Sequence, residues 1–233
     1  MKINEINRRL EEGEPFELIL GKAEFCGFTF PISRYKSLIP RPETEEIVKM
    51  VLDLRPRGRI IDVGTGATGV IATTLALLLP ENEILGVDID EKSVEIARET
   101  AEKIKKDGGD VARPENVQFM QSDLLSNIPE EWREAEVIVA NLPYVDRKWE
   151  WVSKDLAKWE AERALFTEDG GLKIIKRLIR QLSNAWYSEG RKIILEADPC
   201  QHERIIEFAS QHGLEMVKQR GYQLMFISRK RPE

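Results

Sequence analysis

Two parts of the chain, a glycine-rich segment and a carboxylate that follows it, have a spacing suited to binding a small ligand. The first is the segment Asp62-Val63-Gly64-Thr65-Gly66-Ala67-Thr68-Gly69, which begins inside an apolar run. Glycines let a backbone turn sharply and approach a ligand closely, and the start of a following helix offers free N–H groups. The second is Asp88, 24 residues after Gly64, where a carboxylate can accept both hydroxyls of a ribose. These residues fit two nucleoside-containing cofactors.

The two cofactors place different demands on this segment. The spacing Gly64-x-Gly66-x-x-Gly69 followed by an acid matches the dinucleotide fingerprint of nicotinamide and flavin enzymes. The alternative is S-adenosylmethionine, for which an acid stands two residues before the first glycine, as Asp62 does. An acid suits a cationic sulfonium and sits poorly beside a pyrophosphate, so Asp62 favours S-adenosylmethionine. A purely structural interpretation, with Asp62 capping the loop and Asp88 solvated, also stays open.

A further motif, Asn141-Leu142-Pro143-Tyr144, follows the apolar residues 137–140. Its residues suit a site that methylates a planar nitrogen. An amide or exocyclic amine is a poor nucleophile because its lone pair is delocalised. A site that accepts both N–H hydrogens favours a pyramidal nitrogen, and hence the transition state. The Asn141 side-chain oxygen and the Leu142 carbonyl can be these acceptors. Pro143 restrains Leu142 toward an extended conformation, and Tyr144 offers a flat face for an amide or a base.

These motifs need elements that position them, and the chain predicts alternating strands and helices from Arg59 onward. Strands are expected at 60–63, 84–87, 117–120, 137–140, 193–195, 216–219 and 224–228, the last two antiparallel. Helices are expected at 69–79, after Asp90 as far as Gly108-Gly109, at 171–186 and at 205–212. This order predicts an α/β, doubly wound, mostly parallel seven-stranded sheet, which binds ligands beyond the carboxyl ends of its strands.

The N-terminal part of the chain is expected to form a short extension. Residues 3–10 predict one helix, Phe25, Phe28 and Phe30 around Gly27 predict a β-hairpin, and residues 43–54 predict a further helix. We therefore divide the chain into an extension over residues 1–40 and a catalytic domain over residues 41–233.

Composition narrows the functional classes. The 233 residues carry 35 Lys and Arg against 41 Asp and Glu, a net charge of −6, which argues against a protein that coats nucleic acid. Two cysteines do not make a disulfide framework, which favours a cytoplasmic location, and with the two histidines they give no metal-ligand spacing. The longest nearly apolar run, 69–79, is shorter than the roughly 20 residues of a membrane span. We therefore expect neither a metal nor a membrane partner.

From about residue 24 to 230, the sequence resembles the HemK/PrmC family, the peptide chain release factor N5-glutamine methyltransferases. The resemblance rests first on Leu38-Ile39-Pro40-Arg41-Pro42-Glu43-Thr44-Glu45. The glycine loop and further motifs follow in family order: Gln121-Ser122-Asp123-Leu124, Asn141-Leu142-Pro143-Tyr144, Ala164-Leu165 before Gly170-Gly171-Leu172, and Glu196 to Gln201. It implies a class I, Rossmann-like methyltransferase that uses S-adenosylmethionine and acts on the Gly-Gly-Gln glutamine of release factors.

The resemblance also implies roles for individual residues. The glycine loop wraps the methionine part of the cofactor, Asp88 binds the ribose, and Asp123 and Leu124 line the adenine. Thr44 and its neighbours form a lid. The cofactor-binding set is Asp62, Gly64, Thr65, Gly66, Ala67, Thr68, Asp88, Asp123, Leu124 and Asn141. The catalytic and substrate-binding set is Asn141, Leu142, Pro143 and Tyr144.

The sequence departs from the family pattern in three places. The glycine loop has one extra residue, at Ala67. Leu142 replaces the usual proline, and the resulting motif Asn-Leu-Pro-Tyr resembles that of ribosomal RNA adenine dimethyltransferases. In place of the family's N-terminal helical domain, we expect only one helix before residue 24. Two alternatives therefore stay open: N6-methylation of adenine in RNA or DNA, which the acidic charge disfavours, and a donor-binding protein that needs a small activating partner subunit.

Overall fold

The computed structural model describes residues 3–33, 35, 38–106, 114–150, 152 and 156–230. It begins with helices α1 (Ile3–Glu11) and α2 (Phe16–Leu20), followed by a hairpin of β1 (Lys22–Phe25) and β2 (Phe28–Pro31). Cys26 and Gly27, which join the two strands, both have positive φ angles of 50° and 77°, as a tight hairpin turn requires. The predicted first helix and hairpin are confirmed, whereas the sequence did not predict α2.

The remaining strands and helices alternate along the chain. The strands are β3 (Ile60–Val63), β4 (Ile84–Asp88), β5 (Lys105–Lys106), β6 (Val117–Gln121), β7 (Val137–Ala140), β8 (Lys192–Glu196), β9 (Leu214–Arg220) and β10 (Gln223–Ser228). The helices are α3 (Glu45–Leu54), α4 (Val70–Leu78), α5 (Glu91–Ala101), α6 (Leu156–Trp159), α7 (Glu162–Leu165), α8 (Glu168–Gly171), α9 (Lys173–Ser183) and α10 (His202–Ser210). Short 3₁₀ helices cover Pro42–Thr44, Glu130–Trp132 and Pro199–Gln201.

Seven of the described strands form the main sheet, in the order β6-β4-β3-β7-β8-β10-β9. β3 pairs in parallel with β4 and β7, and β7 with β8, whereas β10 runs antiparallel to both of its neighbours. The predicted mostly parallel, doubly wound sheet is confirmed. The strand order reverses at β3, so the switch point where such sheets bind ligands lies between β3 and β7.

Helices cover both faces of the sheet because their apolar residues recur at helical spacing. On α9, Ile175, Leu178, Ile179 and Leu182 are buried and face one core cluster, while the intervening lysines and arginines stay outside. The short helix α4 is apolar over nearly its whole surface and is buried in a second cluster with α3 and α5. Strands that lie between two such layers are mostly continuous apolar runs, as β7 is, whereas the equally buried β3 is interrupted by Asp62.

Some predicted boundaries were wrong. The helix after Asp90 ends at Ala101, and the glycines 108–109 that were expected to end it lie outside the described residues. Asp90 does cap this helix, since its side chain accepts a hydrogen bond from the Ser93 backbone N–H at 3.0 Å. The short strand β5, which pairs with β2, was not predicted. A strand of two residues is too short to show the alternation of apolar and polar residues by which strands are predicted.

The proposed division at residue 40 stays a prediction. Phe25 and Phe30 of the hairpin are fully buried in the same cluster as Ile47 of α3 and Leu75 of α4. The hairpin therefore shares its core with the helices of the main sheet. None of the helices in the described parts of the chain is both long and apolar enough to cross a membrane.

Helix α4 offers a test of this core. Leu75 is fully buried, whereas Leu78 on the same helix is 39% exposed. We expect Leu75→Ala to lower the free energy of unfolding by about 3 kcal/mol. The matched Leu78→Ala should lower it by less than about 1 kcal/mol. Urea unfolding followed by tryptophan fluorescence measures both, and equal losses would contradict the packing described here.

Candidate active site

The predicted site residues meet at the carboxyl ends of β3, β4, β6 and β7. The register of the sheet is responsible: Val63 pairs with both Val87 and Ala140, so Gly64, Asp88 and Asn141 leave the sheet side by side. A cavity opens here, which we call the loop cavity. Eleven predicted residues line it: Gly64, Thr65, Gly66, Ala67, Thr68, Asp88, Asp123, Leu124, Asn141, Leu142 and Pro143.

The glycine loop needs its glycines for two different reasons. At Gly64, with a φ of +78°, an added Cβ would lie 2.7 Å from the Leu142 Cδ2 atom, so the leucine side chain packs directly against the loop. At Gly66, with a φ of +65°, an added Cβ would meet nothing within 4 Å. Gly66 is therefore required by backbone conformation alone and leaves the space beside it open.

Asp62 lies beneath the loop and is not among the residues that line the cavity, so its role in cofactor binding stays a prediction. Its carboxylate is fully buried, and its Oδ2 accepts hydrogen bonds from Thr65 Oγ1 at 2.6 Å and from the Ala72 backbone N–H at 3.2 Å. Its Oδ1 has no hydrogen-bond partner among the described residues. Burial raises the pKa of Asp62 to about 7. Asp62 thus ties the loop to the first turn of α4.

Asp88 lies in the cavity wall at the end of β4. Its two oxygens are oriented by backbone N–H groups: Oδ2 accepts from Gly66 at 3.0 Å and Oδ1 from Asp90 at 2.9 Å. Burial raises the pKa of Asp88, and these two hydrogen bonds oppose that shift. Each oxygen keeps a further lone pair, so the carboxylate can accept two adjacent hydroxyl groups.

Asp123 and Leu124 lie on the far side of the same cavity. Asp123 Oδ2 pairs with Arg177 Nη2 of α9 at 2.7 Å, which holds the carboxylate at the cavity edge. Leu124 has a φ of +53°, a conformation unusual for a residue with a Cβ, and its side chain is buried. The strained turn presents an apolar side chain and a carboxylate to the cavity together.

A second cavity adjoins the first and contains Tyr144, so we call it the Tyr144 cavity. It is also lined by Glu43, Glu196, Asp198 and Tyr222. Both cavities share Leu38, Arg41, Asn141, Leu142 and Ala164. The Asn141-Leu142 dipeptide therefore lies on the boundary between a pocket with the glycine loop and a pocket with an aromatic side chain.

The Asn141–Tyr144 segment is fixed by residues distant in sequence. Gln201 Nε2 donates hydrogen bonds to the carbonyl oxygens of Tyr144 at 2.8 Å and Gly170 at 2.7 Å. An added Cβ on Gly171 would lie 1.9 Å from the Tyr144 carbonyl oxygen. Tyr144 is thus held in place by Gly170, Gly171 and Gln201. These residues belong to family motifs for which the sequence indicated no role. Burial raises the pKa of the Tyr144 hydroxyl, which stays protonated.

Residues 38–44 and the segment around α7 close the loop cavity from outside. Glu160 is buried and accepts hydrogen bonds from the Ile39 backbone N–H at 2.8 Å and from Arg41 Nη2. Arg163 forms an ion pair with Asp90, whose Oδ2 also accepts a hydrogen bond from the Tyr35 hydroxyl at 2.8 Å. These contacts join two covering segments to each other and to the end of β4.

Sequence reasoning assigned no role to Arg163, Arg177 or Glu196, all of which line these cavities. Glu196 carried a usable signal, because it is a carboxylate at the carboxyl end of an apolar strand, as Asp88 is. The two arginines carried none, since each is a largely exposed charged residue on a helix, as many surface arginines are.

Comparisons with known proteins agree with this geometry. The model of the Methyltransferase small domain family matches residues 44–225. Among solved structures, the N-terminal domain of human METTL16 in complex with SAH superposes with a TM-score of 0.57 at 15% identity, covering 88% of this chain and 77% of that one. The chain has the class I S-adenosylmethionine-dependent methyltransferase fold. This assignment favours that cofactor over the dinucleotide interpretation.

Curated relatives define the family more closely. The release factor glutamine methyltransferase of Lactococcus lactis subsp. lactis is 34% identical over 198 residues, 83% of this chain and 67% of the relative. That of Koribacter versatilis is 39% identical over 174 residues, 73% of this chain and 58% of the relative. The chain belongs to the release factor glutamine methyltransferase family. It spans about three fifths to two thirds of the length of these two relatives.

Gly171 provides a test of how the Tyr144 segment is held. Gly171 and Gly190 have nearly equal φ angles of +82° and +80°, but an added Cβ at Gly190 would meet nothing within 4 Å. Alanine at either position carries the same backbone strain, and only at Gly171 does it also collide with backbone. We expect Gly171→Ala to lower the free energy of unfolding by about 2 kcal/mol more than Gly190→Ala does. Urea unfolding of both variants checks this, and equal values would refute the close contact.

Proposed function

We propose that this chain transfers a methyl group from S-adenosylmethionine to the side-chain amide nitrogen of the glutamine in the Gly-Gly-Gln loop of peptide chain release factors. The observation that carries the proposal is the meeting of the two cavities at Asn141 and Leu142. Family membership supports the acceptor, since the curated relatives are named for release factor glutamine methylation.

The loop cavity fits the cofactor by its chemistry. Its wall carries the carboxylates of Asp88 and Asp123, and Asp62 beneath it keeps an oxygen without a partner. Acids suit a ligand with a cationic sulfonium, an ammonium, ribose hydroxyls and an adenine amine. When bound, S-adenosylmethionine supplies an electrophilic methyl group.

We assign the residues of the loop cavity as follows. The loop from Gly64 to Thr68 holds the methionine part, Asp88 the ribose, and Asp123 and Leu124 the adenine. Asp62 acts through the loop, because its hydrogen bond to Thr65 keeps the backbone in place.

The Tyr144 cavity receives the acceptor amide in this proposal. Asn141 Oδ1 and the Leu142 carbonyl each accept one N–H of the amide, which favours the pyramidal nitrogen of the transition state over the planar ground state. Tyr144 packs against the amide plane, and Pro143 keeps the Leu142 carbonyl extended. The backbone carbonyl is available whether residue 142 is leucine or proline. Proximity and orientation supply most of the rate, and the methylated nitrogen loses its proton to solvent.

The wall of the Tyr144 cavity favours a protein acceptor. Glu43, Glu196 and Asp198 face it against one arginine, Arg41. Three carboxylates repel the phosphates that flank an adenine in RNA or DNA, whereas a peptide loop has no such charge. Adenine methylation is therefore the less favoured reaction. A requirement for a small activating subunit stays a proposal of its own, and so does a cytoplasmic location.

Asp88→Asn tests the assignment on the donor side. An amide offers one acceptor oxygen, and its nitrogen would face an N–H group of either Gly66 or Asp90, where the carboxylate now accepts both. We expect the affinity for S-adenosylmethionine to fall about 10- to 100-fold. Titration calorimetry measures this, with the exposed Asp53→Asn as the matched control. Unchanged affinity in Asp88→Asn would remove this residue from the cofactor site.

Transfer of labelled methyl from S-adenosylmethionine tests the function itself. A purified bacterial release factor and ribosomal RNA are offered in parallel, and mass spectrometry locates the label. We expect it on the Gly-Gly-Gln glutamine. Asn141→Ala should lower kcat about 100-fold or more while the cofactor Kd changes by less than about threefold. The exposed Asn184→Ala serves as control.

Three results would contradict this proposal in different ways. Wild-type turnover by Asn141→Ala would remove the asparagine from the mechanism. Label on adenine would keep the chemistry and change the acceptor. Bound cofactor with no label on either acceptor would point to a missing partner subunit.

A further inference from the structure

Thr44 and Glu196 come from two motifs to which the proposed reaction gives no chemical role, yet both belong to a hydrogen-bonded chain that ends at Asn141. We propose that Thr44 and Glu196 are positioning residues that fix the Asn141 side-chain amide with its nitrogen toward Thr44 and its oxygen toward the acceptor. The catalytic consequence rests on the proposed function, whereas the orientation rests on the hydrogen bonds alone.

The chain begins at a backbone carbonyl, which can only accept. Gln223 Nε2 donates to the Glu43 carbonyl oxygen at 2.8 Å and to Glu196 Oε2 at 3.0 Å. Because a carbonyl has no hydrogen to give, the Gln223 amide can be placed only with its NH₂ group between these two oxygens. The NH₂ group in turn requires Glu196 Oε2 to act as an acceptor.

The next two links transmit that direction. The hydroxyl of Thr44 donates its single hydrogen to Glu196 Oε1 at 3.2 Å, since an ionised carboxylate only accepts. Thr44 Oγ1 can then only accept from Asn141, and Asn141 Nδ2 lies 3.1 Å away. The Asn141 nitrogen therefore faces Thr44. Its Oδ1 accepts no hydrogen bond from any described residue and stays available.

Burial makes this direction hard to reverse. Thr44 is 3% exposed and Glu196 2% exposed, so water does not compete for their hydrogen bonds. The Tyr144 hydroxyl makes a further, long hydrogen bond to Glu196 Oε1 at 3.4 Å. Buried chains of this kind act as a unit, since each polar group has few other partners.

Replacing the carboxylate with an amide would reverse the chain. In Glu196→Gln, the fixed Gln223 NH₂ group requires the new amide oxygen at the Oε2 position, which leaves the new NH₂ group facing Thr44. Thr44 then accepts from residue 196, and its own hydroxyl hydrogen, which no longer has a carboxylate to bind, gains an acceptor when the Asn141 oxygen turns toward Thr44. The Asn141 NH₂ group would then face the N–H hydrogens of the acceptor amide, which it cannot bind.

Kinetics of three variants test the inference. We expect Glu196→Gln and Thr44→Val, which is nearly isosteric, each to lower kcat for glutamine methylation about 100-fold, with KM for S-adenosylmethionine within about threefold of wild type. Thr44→Ser restores the hydroxyl and should restore kcat to within about tenfold of wild type. Glu215→Gln, the same substitution at an exposed strand position, is the matched control. Circular dichroism confirms that each variant is folded.

The pH profile separates positioning from packing. Protonated Glu196 can donate to Thr44, which reverses the chain as the glutamine does, and burial raises the pKa of Glu196. Wild-type kcat should therefore fall as the pH is lowered through that raised pKa, and Glu196→Gln should lack this limb. The titratable and charged groups around Glu196 are those in or beside its cavity: Tyr144, Glu43, Asp198, Tyr222 and Arg41.

Nuclear magnetic resonance tests the orientation without any acceptor. In protein labelled at asparagine side chains, the Asn141 amide protons should show an Overhauser effect to the Thr44 methyl group in wild type, and should lose it in Glu196→Gln. If wild type fails to methylate a release factor, the proposed function fails while this measurement still decides the orientation. Its absence in wild type, or kcat within threefold of wild type in both Glu196→Gln and Thr44→Val, would overturn the inference.

Discussion

The site depends on the register of β3 with its two neighbours. Val63 pairs with Val87 on one side and Ala140 on the other, so that three strands end at one level. A parallel sheet offers this only at the switch point, where helices leave on opposite faces and open a crevice. A shift of one residue in either pairing would separate Gly64 from Asp88 or from Asn141. It would also turn buried apolar side chains onto the other face of the sheet.

The loops at this edge are held by residues from much later in the chain. Gln201 holds the Tyr144 carbonyl, Gly171 allows the close approach of that carbonyl, and Arg177 holds Asp123. Loops on their own fluctuate, whereas a methyl transfer needs its acceptors within a fraction of an ångström. Contacts from α8 and from the segment after β8 therefore supply the rigidity that residues 141–144 lack, while α9 holds Asp123.

The sequence predicts which residues gather at this edge better than it predicts what each one does there. Apolar runs and the polar residues after them place Gly64, Asp88 and Asn141 correctly, because strand ends follow directly from periodicity. The same reasoning does not predict that the Asp62 side chain lies beneath the loop, because Asp62 is one residue inside β3, where side-chain direction depends on how α4 packs. The direction of the Asn141 amide was beyond prediction, since it is set by a chain of contacts that begins at Glu43. Short elements such as α2 and β5 are too brief to produce a period.

The buried carboxylate of Glu196 makes little sense as a source of stability. Removing an ionised group from water is costly, and hydrogen bonds from Thr44, Gln223 and Tyr144 only partly offset it, as the raised pKa of Glu196 indicates. An apolar side chain of similar size would fill the same space without that penalty. It could not, however, accept hydrogens from two sides, and an amide would accept from one and donate to the other. Only a carboxylate makes every neighbouring group a hydrogen-bond donor. At this site that constraint orients the Asn141 side-chain amide, whose oxygen and nitrogen have nearly the same shape.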